Sequence, residues 1–266
     1  MGKPINDERP IMTNPLAGKR GLIVGVANDQ SIAYGCAKAF RAAGAELAIT
    51  YLNDKARPYV EPLYDALEGQ IFAPCDVREP GQIEALFKTI EDRWGKLDFL
   101  LHSIAFAPRE DLHARVTDCS RDGFDQAMNV SCHSFIEMAR YAEPLMRDGG
   151  ALMTISFYGA EKVVDHYNLM GPVKAALEAS VRYMASELGQ SGIRVYALSP
   201  GPLKTRAASG IERFDELMDE TAKRAPIHTL VTIEQIGNLA AFLASDQAQG
   251  MTGNVVYIDN GFNIVG

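Results

Sequence analysis

The sequence is poor in the features that mark secreted, membrane-spanning or nucleic-acid-binding chains. Its 266 residues hold four cysteines, Cys36, Cys75, Cys119 and Cys132, far apart and with no short pair. A disulfide framework or a zinc ribbon would need close, repeated spacing. The four fall in apolar segments and read as reduced, buried thiols. The five histidines, His102, His113, His133, His166 and His228, lack ligand spacing, so no metal site is expected. No apolar run approaches the roughly 20 residues of a membrane span. Residues 1–10 are polar, without the apolar stretch of a signal peptide. These absences predict a cytoplasmic protein that binds no membrane. Acidic residues outnumber basic ones by 34 to 26, a formal net charge of −8. That balance gives nucleic acid no attractive surface.

What is present is a regular alternation. Apolar, β-branched runs at 20–26, 46–51, 70–77, 97–103, 151–157, 193–201 and 254–259 read as strands. Between them, helical spacing occupies 31–43, 56–67, 81–95, 121–146, 167–189, 209–224 and 233–244. Strands that are apolar along their whole length belong to a parallel sheet covered on both faces. Right-handed crossovers then dictate a doubly wound, Rossmann-type α/β sheet of about seven strands. Residues 1–14 are set aside as an N-terminal extension. Residues 15–266 show no linker or repeat and read as one domain, within the size of a single core. In such sheets ligands bind beyond the carboxyl ends of the strands, where the strand order reverses.

The first of those ends carries GVANDQSIAYG, from Gly25 to Gly35. The strict G-x-G-x-x-G fingerprint is missing. What remains is a glycine at the turn and Ser31 opening a helix whose free N–H groups could face a pyrophosphate. An ordinary capped strand–helix turn would look the same. At the end of the second strand, Tyr51-Leu52-Asn53 carries no acid, and Lys55 and Arg57 follow. Neither NADH nor NADPH is excluded by that pattern. Asp76 and Val77 end the third strand, where Asp76 could meet an adenine edge or simply cap the next helix.

Two tyrosine–lysine pairs compete for the chemistry. Tyr158 and Lys162 have Y-x-x-x-K spacing, but Gly159 between them makes a rigid helical face there a poor expectation. Tyr167 and Lys174 lie seven apart, two helical turns and one face. Gly171 and Pro172 intervene, so the helix proper could begin near Gly171 and Tyr167 enter from the segment before it. A tyrosine hydroxyl can stabilise negative charge building on a substrate oxygen, and a neighbouring ammonium supports it. A packed tyrosine and a solvated lysine would share the spacing.

With those residues in view, the chain resembles the bacterial enoyl-[acyl-carrier-protein] reductases, a divergent branch of the short-chain dehydrogenase/reductases. The likeness runs from Gly18 to the C-terminus. It rests on GVANDQSIAYG, CDV, HSIAFAP, SPGPLKTRAASGI, TGNVVYIDNGF and the long stretch from Ser156 that holds Tyr-x6-Lys with Asn168 and Met170 inside it. The resemblance implies reduction of a trans-2-enoyl thioester in fatty-acid elongation, with NADH or NADPH. It implies Tyr167 at the enolate oxygen and Lys174 on the nicotinamide ribose. It implies a cofactor lined by Gly25, Ser31, Ile32, Asp76, Val77, Ser103, Ile104, Ala105, Lys174, Gly201, Leu203 and Thr205. The acyl pocket would take Ala107, Phe157, Tyr158, Tyr167, Met170 and Leu203, under a lid at about 204–224. Partners would be an acyl carrier protein and three further copies of the chain.

The chain departs from the family pattern in two places. A tyrosine is expected ten residues before the catalytic one, and here Phe157 stands there with Tyr158 beside it, making Tyr158 a third candidate for the catalytic set. The lid is acid-rich, with Glu212, Asp215, Glu216, Asp219 and Glu220 against Arg213, Lys223 and Arg224. An acidic carrier protein would meet like charge there. Outside this branch, the sequence also fits a carbonyl (3-oxoacyl) reductase working through Tyr158 and Lys162, or a nicotinamide-sensing protein without turnover.

Overall fold

Alternate residues of each strand feed opposite cores, and that alternation builds the molecule. The computed structural model describes residues 14–205, 211 and 213–265. The strands are β1 (Arg20–Val24), β2 (Glu46–Tyr51), β3 (Ile71–Pro74), β4 (Phe99–His102), β5 (Gly150–Ile155), β6 (Ile193–Pro200) and β7 (Asn254–Ile258). They form one parallel sheet in the order β3-β2-β1-β4-β5-β6-β7. The order reverses between β1 and β4, where Ile23 lies level with Ile49 on one side and Leu101 on the other. The crevice above that reversal is where such a sheet binds its ligand.

The helices are α1 (Ile32–Ala42), α2 (Arg57–Ala66), α3 (Gln82–Trp94), α4 (Arg109–His113), α5 (Arg121–Met128), α6 (Ser134–Ala142), α7 (Met170–Leu188), α8 (Phe214–Arg224) and α9 (Ile233–Ala244). Leu22, Val24, Leu100, Leu152 and Val195 meet α3, α6 and α7 on one face. Ile23, Ile49, Leu101, Met153 and Leu198 meet α1 and α9 on the other, joined by the fully buried Leu16. Burying apolar surface on both faces at about 25 cal/mol per Å² holds the layers together. Cys36, Cys75 and Cys132 are buried, Cys119 is half-buried, and all four are free thiols. Burial pushes the Cys36 thiol up to about 12.

Three expected elements differ in detail. The helix expected over 121–146 is interrupted by a π-helical turn, Asn129–His133, between α5 and α6, and ends in a 3-10 turn at Glu143–Leu145. Within and after that turn, Ser131 bonds to another loop and the Ser134 hydroxyl donates back to Val130 O at 2.7 Å. The helix expected from 167 starts at Met170, with Gly171 and Pro172 in its first turn, where a missing N–H costs nothing. The third strand stops at Pro74, before Asp76. Of the expected lid, residues 206–210 and 212 lie outside the described residues, as does the extension up to residue 13. No helix of the described residues is long and apolar enough to cross a membrane.

Candidate active site

A cleft of about 130 Å³ opens at the ends of β1, β4 and β5. Gly25, Ser31, Ile32, Ser103, Ile104, Ala105, Lys174 and Thr205 line it, all expected from sequence, together with Ala27 and Ile155, which were not. Gly25 has φ +112°, and a Cβ there would stand 2.1 Å from the Ser103 carbonyl oxygen. Only glycine lets these two loops approach so closely. Ser31 occupies the N-cap position of α1 without capping it, because its hydroxyl donates to Asn28 O at 2.7 Å. The first turn of α1 therefore has no side-chain cap and no acidic residue. Its amides and positive dipole suit a phosphate group, such as the pyrophosphate of a dinucleotide.

The other expected cofactor residues lie outside the cleft lining. Asp76 caps no helix, since Gly81 precedes α3. Its carboxylate accepts from Arg78 Nε at 2.9 Å and Nη2 at 2.6 Å. That guanidinium holds it below the usual carboxylate range. Val77 packs against the core under α3, Leu203 against the core under α1 and α9, and Gly201 N donates to Ile258 O at 3.0 Å. At the end of β2, Arg57 lies 5.7 Å from the Tyr51 ring centre and pairs with Glu61 at 2.9 Å.

Tyr167 sits in a turn just before α7 and is 7% exposed. Its ring packs on Phe157, centroids 4.9 Å apart at 59°. A Cβ on Gly159 would stand 2.4 Å from that ring. Tyr167 and Met170 share an apolar cluster with Leu112, Ala127, Leu169 and Val173, and Ala107, Phe157, Val164 and Ile211 pack against it. Four expected substrate residues thus come together: Ala107, Phe157, Tyr167 and Met170. Leu203 is not among them. Nor is Tyr158, whose ring turns to Phe262 at 5.5 Å. Tyr158 lines a wider cleft of about 730 Å³ with Lys162, His166, Phe214, Leu217 and Phe262. The segment Tyr158–Ala160 is a single 3-10 turn and Lys162 is exposed, so the Y-x-x-x-K pair has no helical face.

Lys174 is buried in the first turns of α7, and its Nζ donates to Ile155 O at 2.6 Å. Burial lowers its pKa to about 8, partly opposed by Cys132 and Glu178. Burial also pushes the Tyr167 phenol above its ordinary value, with Glu178 adding to the effect. Glu178, one turn beyond Lys174, accepts from the Ser156 hydroxyl at 2.5 Å, and burial raises its pKa. Beneath the cofactor loop, His102 shares its ring nitrogens with Thr154 Oγ1 at 3.0 Å and Ser134 Oγ at 2.8 Å. Burial lowers that imidazole to about 3, so it is neutral at pH 7. The arrangement sets a buried ammonium in the cleft beside the phosphate cradle and a neutral phenol in the apolar cluster at the start of the same helix. Such donors favour a reaction in which oxygen gains negative charge.

Sheet order and the cleft above its reversal are those of a Rossmann-type reductase of the short-chain dehydrogenase class. Comparison with known proteins narrows the class. A family model described as enoyl-(acyl carrier protein) reductase matches residues 25–263. The chain is 49% identical over 249 residues to enoyl-acyl-carrier-protein reductase (NADH) 1 of Rhizobium meliloti strain 1021, covering 94% of this chain and 92% of that one. The crystal structure of the Anaplasma phagocytophilum reductase in complex with NAD superposes with a TM-score of 0.91 at 45% identity, over 95% of this chain and 96% of that one. The Bacillus cereus reductase with NADP+ and an indole naphthyridinone gives 0.93 at 44%, over 95% and 99%. The chain belongs to the enoyl-(acyl carrier protein) reductase family.

Proposed function

We propose that the protein reduces the trans-2 double bond of enoyl thioesters borne by acyl carrier protein, with NADH, in type II fatty-acid elongation. The relatives' names support the substrate and the cofactor. One observation in the site carries the choice of bond: Tyr167 is buried in the turn before α7, while Lys174 lies on α7 itself, held to the end of β5. In a conjugated thioester the carbonyl oxygen lies farther from the carbon that accepts hydride than in a ketone. A hydroxyl displaced from the lysine suits the longer acceptor.

When bound, NADH supplies the hydride. The chain's own groups do the rest. Gly25, Ser31 and the first turn of α1 hold the pyrophosphate, and Lys174 holds the ribose next to the nicotinamide. Asp76, paired with Arg78, would meet the adenine end of the bound cofactor, and Val77, Gly201 and Leu203 would contact it from the neighbouring loops. Tyr167 donates a hydrogen bond to the thioester oxygen as it gains charge. Ala107, Phe157 and Met170 exclude water from that oxygen, which strengthens the bond. Tyr158, facing the wider cleft, guides the acyl chain at the entrance. The Tyr158/Lys162 pair of a carbonyl reductase lacks the rigid face that alignment needs.

The proposal extends to one catalytic domain over 15–266 in the cytoplasm, without nucleic acid or membrane, with the 204–224 segment as a lid. It also extends to a homotetramer, supported by the exposed Phe124, Ile136 and Tyr183 on α5, α6 and α7. The test is steady-state turnover of crotonyl and acetoacetyl thioesters with NADH and NADPH in parallel. Crotonyl turnover with NADH is the expected result. Preference for the acetoacetyl substrate would make this a carbonyl reductase, and cofactor binding without turnover would make it a sensor.

A further inference from the structure

Among the described residues, six that are not glycine have positive φ, and two of them flank Tyr167: His166 at 63° and Asn168 at 39°. L-residues resist this region, asparagine least, and they stay in it only where the surroundings enforce it. Had the helix simply continued back from α7, Tyr167 would stand about 10 Å along its axis from Lys174. The left-handed pair prevents that course and turns the phenol into the apolar cluster.

What enforces the turn is specific. The Asn168 side-chain amide donates from Nδ2 to the Leu112 carbonyl oxygen at 2.9 Å. Leu112 is in the last turn of α4, where a carbonyl has no partner within the helix. Its side chain belongs to the same cluster as Tyr167. The loop just before α4 lines the cofactor cleft through Ser103, Ile104 and Ala105. That loop is itself clamped by Ser131 in the π-helical turn, which accepts from Phe106 N at 2.9 Å and donates to Phe106 O at 3.1 Å. On the other side, Gly171 N donates to Asn168 O at 3.0 Å, leading into the helix of Lys174. Asn168 therefore links, through its side-chain amide, the tyrosine turn to the helix that follows the cofactor loop and, through its backbone carbonyl, to the lysine helix.

We propose that Asn168 is a positioning residue for the reaction, its bond to Leu112 holding the left-handed turn that aims the Tyr167 hydroxyl. The proposal rests on the reading of Tyr167 as the group that meets the substrate oxygen. Asn168→Gly tolerates the left-handed backbone but removes the amide. Asn168→Asp keeps size and backbone tolerance, yet its carboxylate cannot donate to a carbonyl and repels it.

Both variants are made in the parent and in the Tyr167→Phe enzyme, and assayed with crotonyl thioester and NADH. Thermal unfolding and NADH fluorescence titration accompany each. The expected result is a loss of kcat of about tenfold in each parent variant, with NADH affinity within twofold. In the Tyr167→Phe background the same substitutions should change kcat by less than about twofold, because a residue that acts through the phenol has nothing left to aim. Full kcat in Asn168→Gly, or an equal loss with and without the hydroxyl, overturns the proposal. If Tyr167→Phe alone keeps full activity, the assignment of Tyr167 itself fails, and the two failures are told apart in one set of assays.

Discussion

Lys174 Nζ donates to the Ile155 carbonyl oxygen at 2.6 Å, which fixes a buried ammonium at the edge of the cofactor cleft. One of its three donors is thereby used, and the others remain for a ribose. Desolvation brings its pKa to about 8, against ~10.4 for a free lysine. The charge is therefore lost as pH rises through about 8, while burial keeps the Tyr167 phenol protonated. kcat/KM for the free enzyme should fall above pH 8 with a single titration. A profile level to about pH 9.5 would count against this role. Stability should respond in the opposite sense. Between about 8 and ~10.4 the unfolded chain still binds a proton that the folded one has released, so this group adds stability as pH climbs. Urea unfolding at both ends of that window reads the second effect.

Replacing Tyr167 by Phe keeps the ring that packs on Phe157 and removes only the hydroxyl. A loss of about 10²–10⁴ in kcat is expected for a positioned proton donor. NADH affinity, measured by fluorescence titration, should stay unchanged. Retained turnover on crotonyl thioester would remove the phenol from the mechanism.

Gly159→Ala places a methyl 2.4 Å from the Tyr167 ring, in a site already filled by Phe157. Such overpacking costs about 1–3 kcal/mol in a core. The variant should unfold at lower urea and lose kcat more than NADH affinity, since the ring is displaced and the cofactor cleft is not. Parent-like values in both measurements would mean that the turn yields freely.

On α8, ion pairs join Arg213 to Glu216 at 2.7 Å and Arg224 to Glu220 at 2.6 Å. Those pairs neutralise two of the acidic residues, and Asp215 and Asp219 add further negative charge; Glu212 lies outside the described residues. Asp215→Lys with Asp219→Lys should lower KM for a carrier-borne substrate several-fold at low salt, and the gain should shrink as salt rises. KM for a neutral N-acetylcysteamine thioester should not move. An equal change for both substrates would place the effect in the acyl pocket instead of at the carrier.

The seven strands were legible because each is a short apolar run that must be buried on both faces, a property of neighbouring residues. The expectation that Tyr158 and Lys162 share no helical face is also local, since Gly159 disfavours a helix there and the segment forms only a 3-10 turn at Tyr158–Ala160. Gly25 at the first turn, and Gly171 with Pro172 at the start of α7, are likewise local signals that the fold repeats.

Other features depend on residues far apart in the chain, and no local pattern announces them. Ser31 looks like a cap, and only the Asn28 carbonyl lying within reach turns its hydroxyl away. Phe157, and not Tyr158, lies on Tyr167, because the 3-10 turn after β5 rotates the second ring toward Phe262 near the C-terminus. The long helix breaks at Asn129–His133, where Ser131 reaches a loop 25 residues earlier. Asn168 finds its acceptor 56 residues away in Leu112. Periodicity and turn chemistry, which act over a few residues, settled the fold class and singled out one tyrosine–lysine pair as the candidate. The aim of that pair was decided by hydrogen bonds and ring packing that exist only once the sheet has brought its distant loops together.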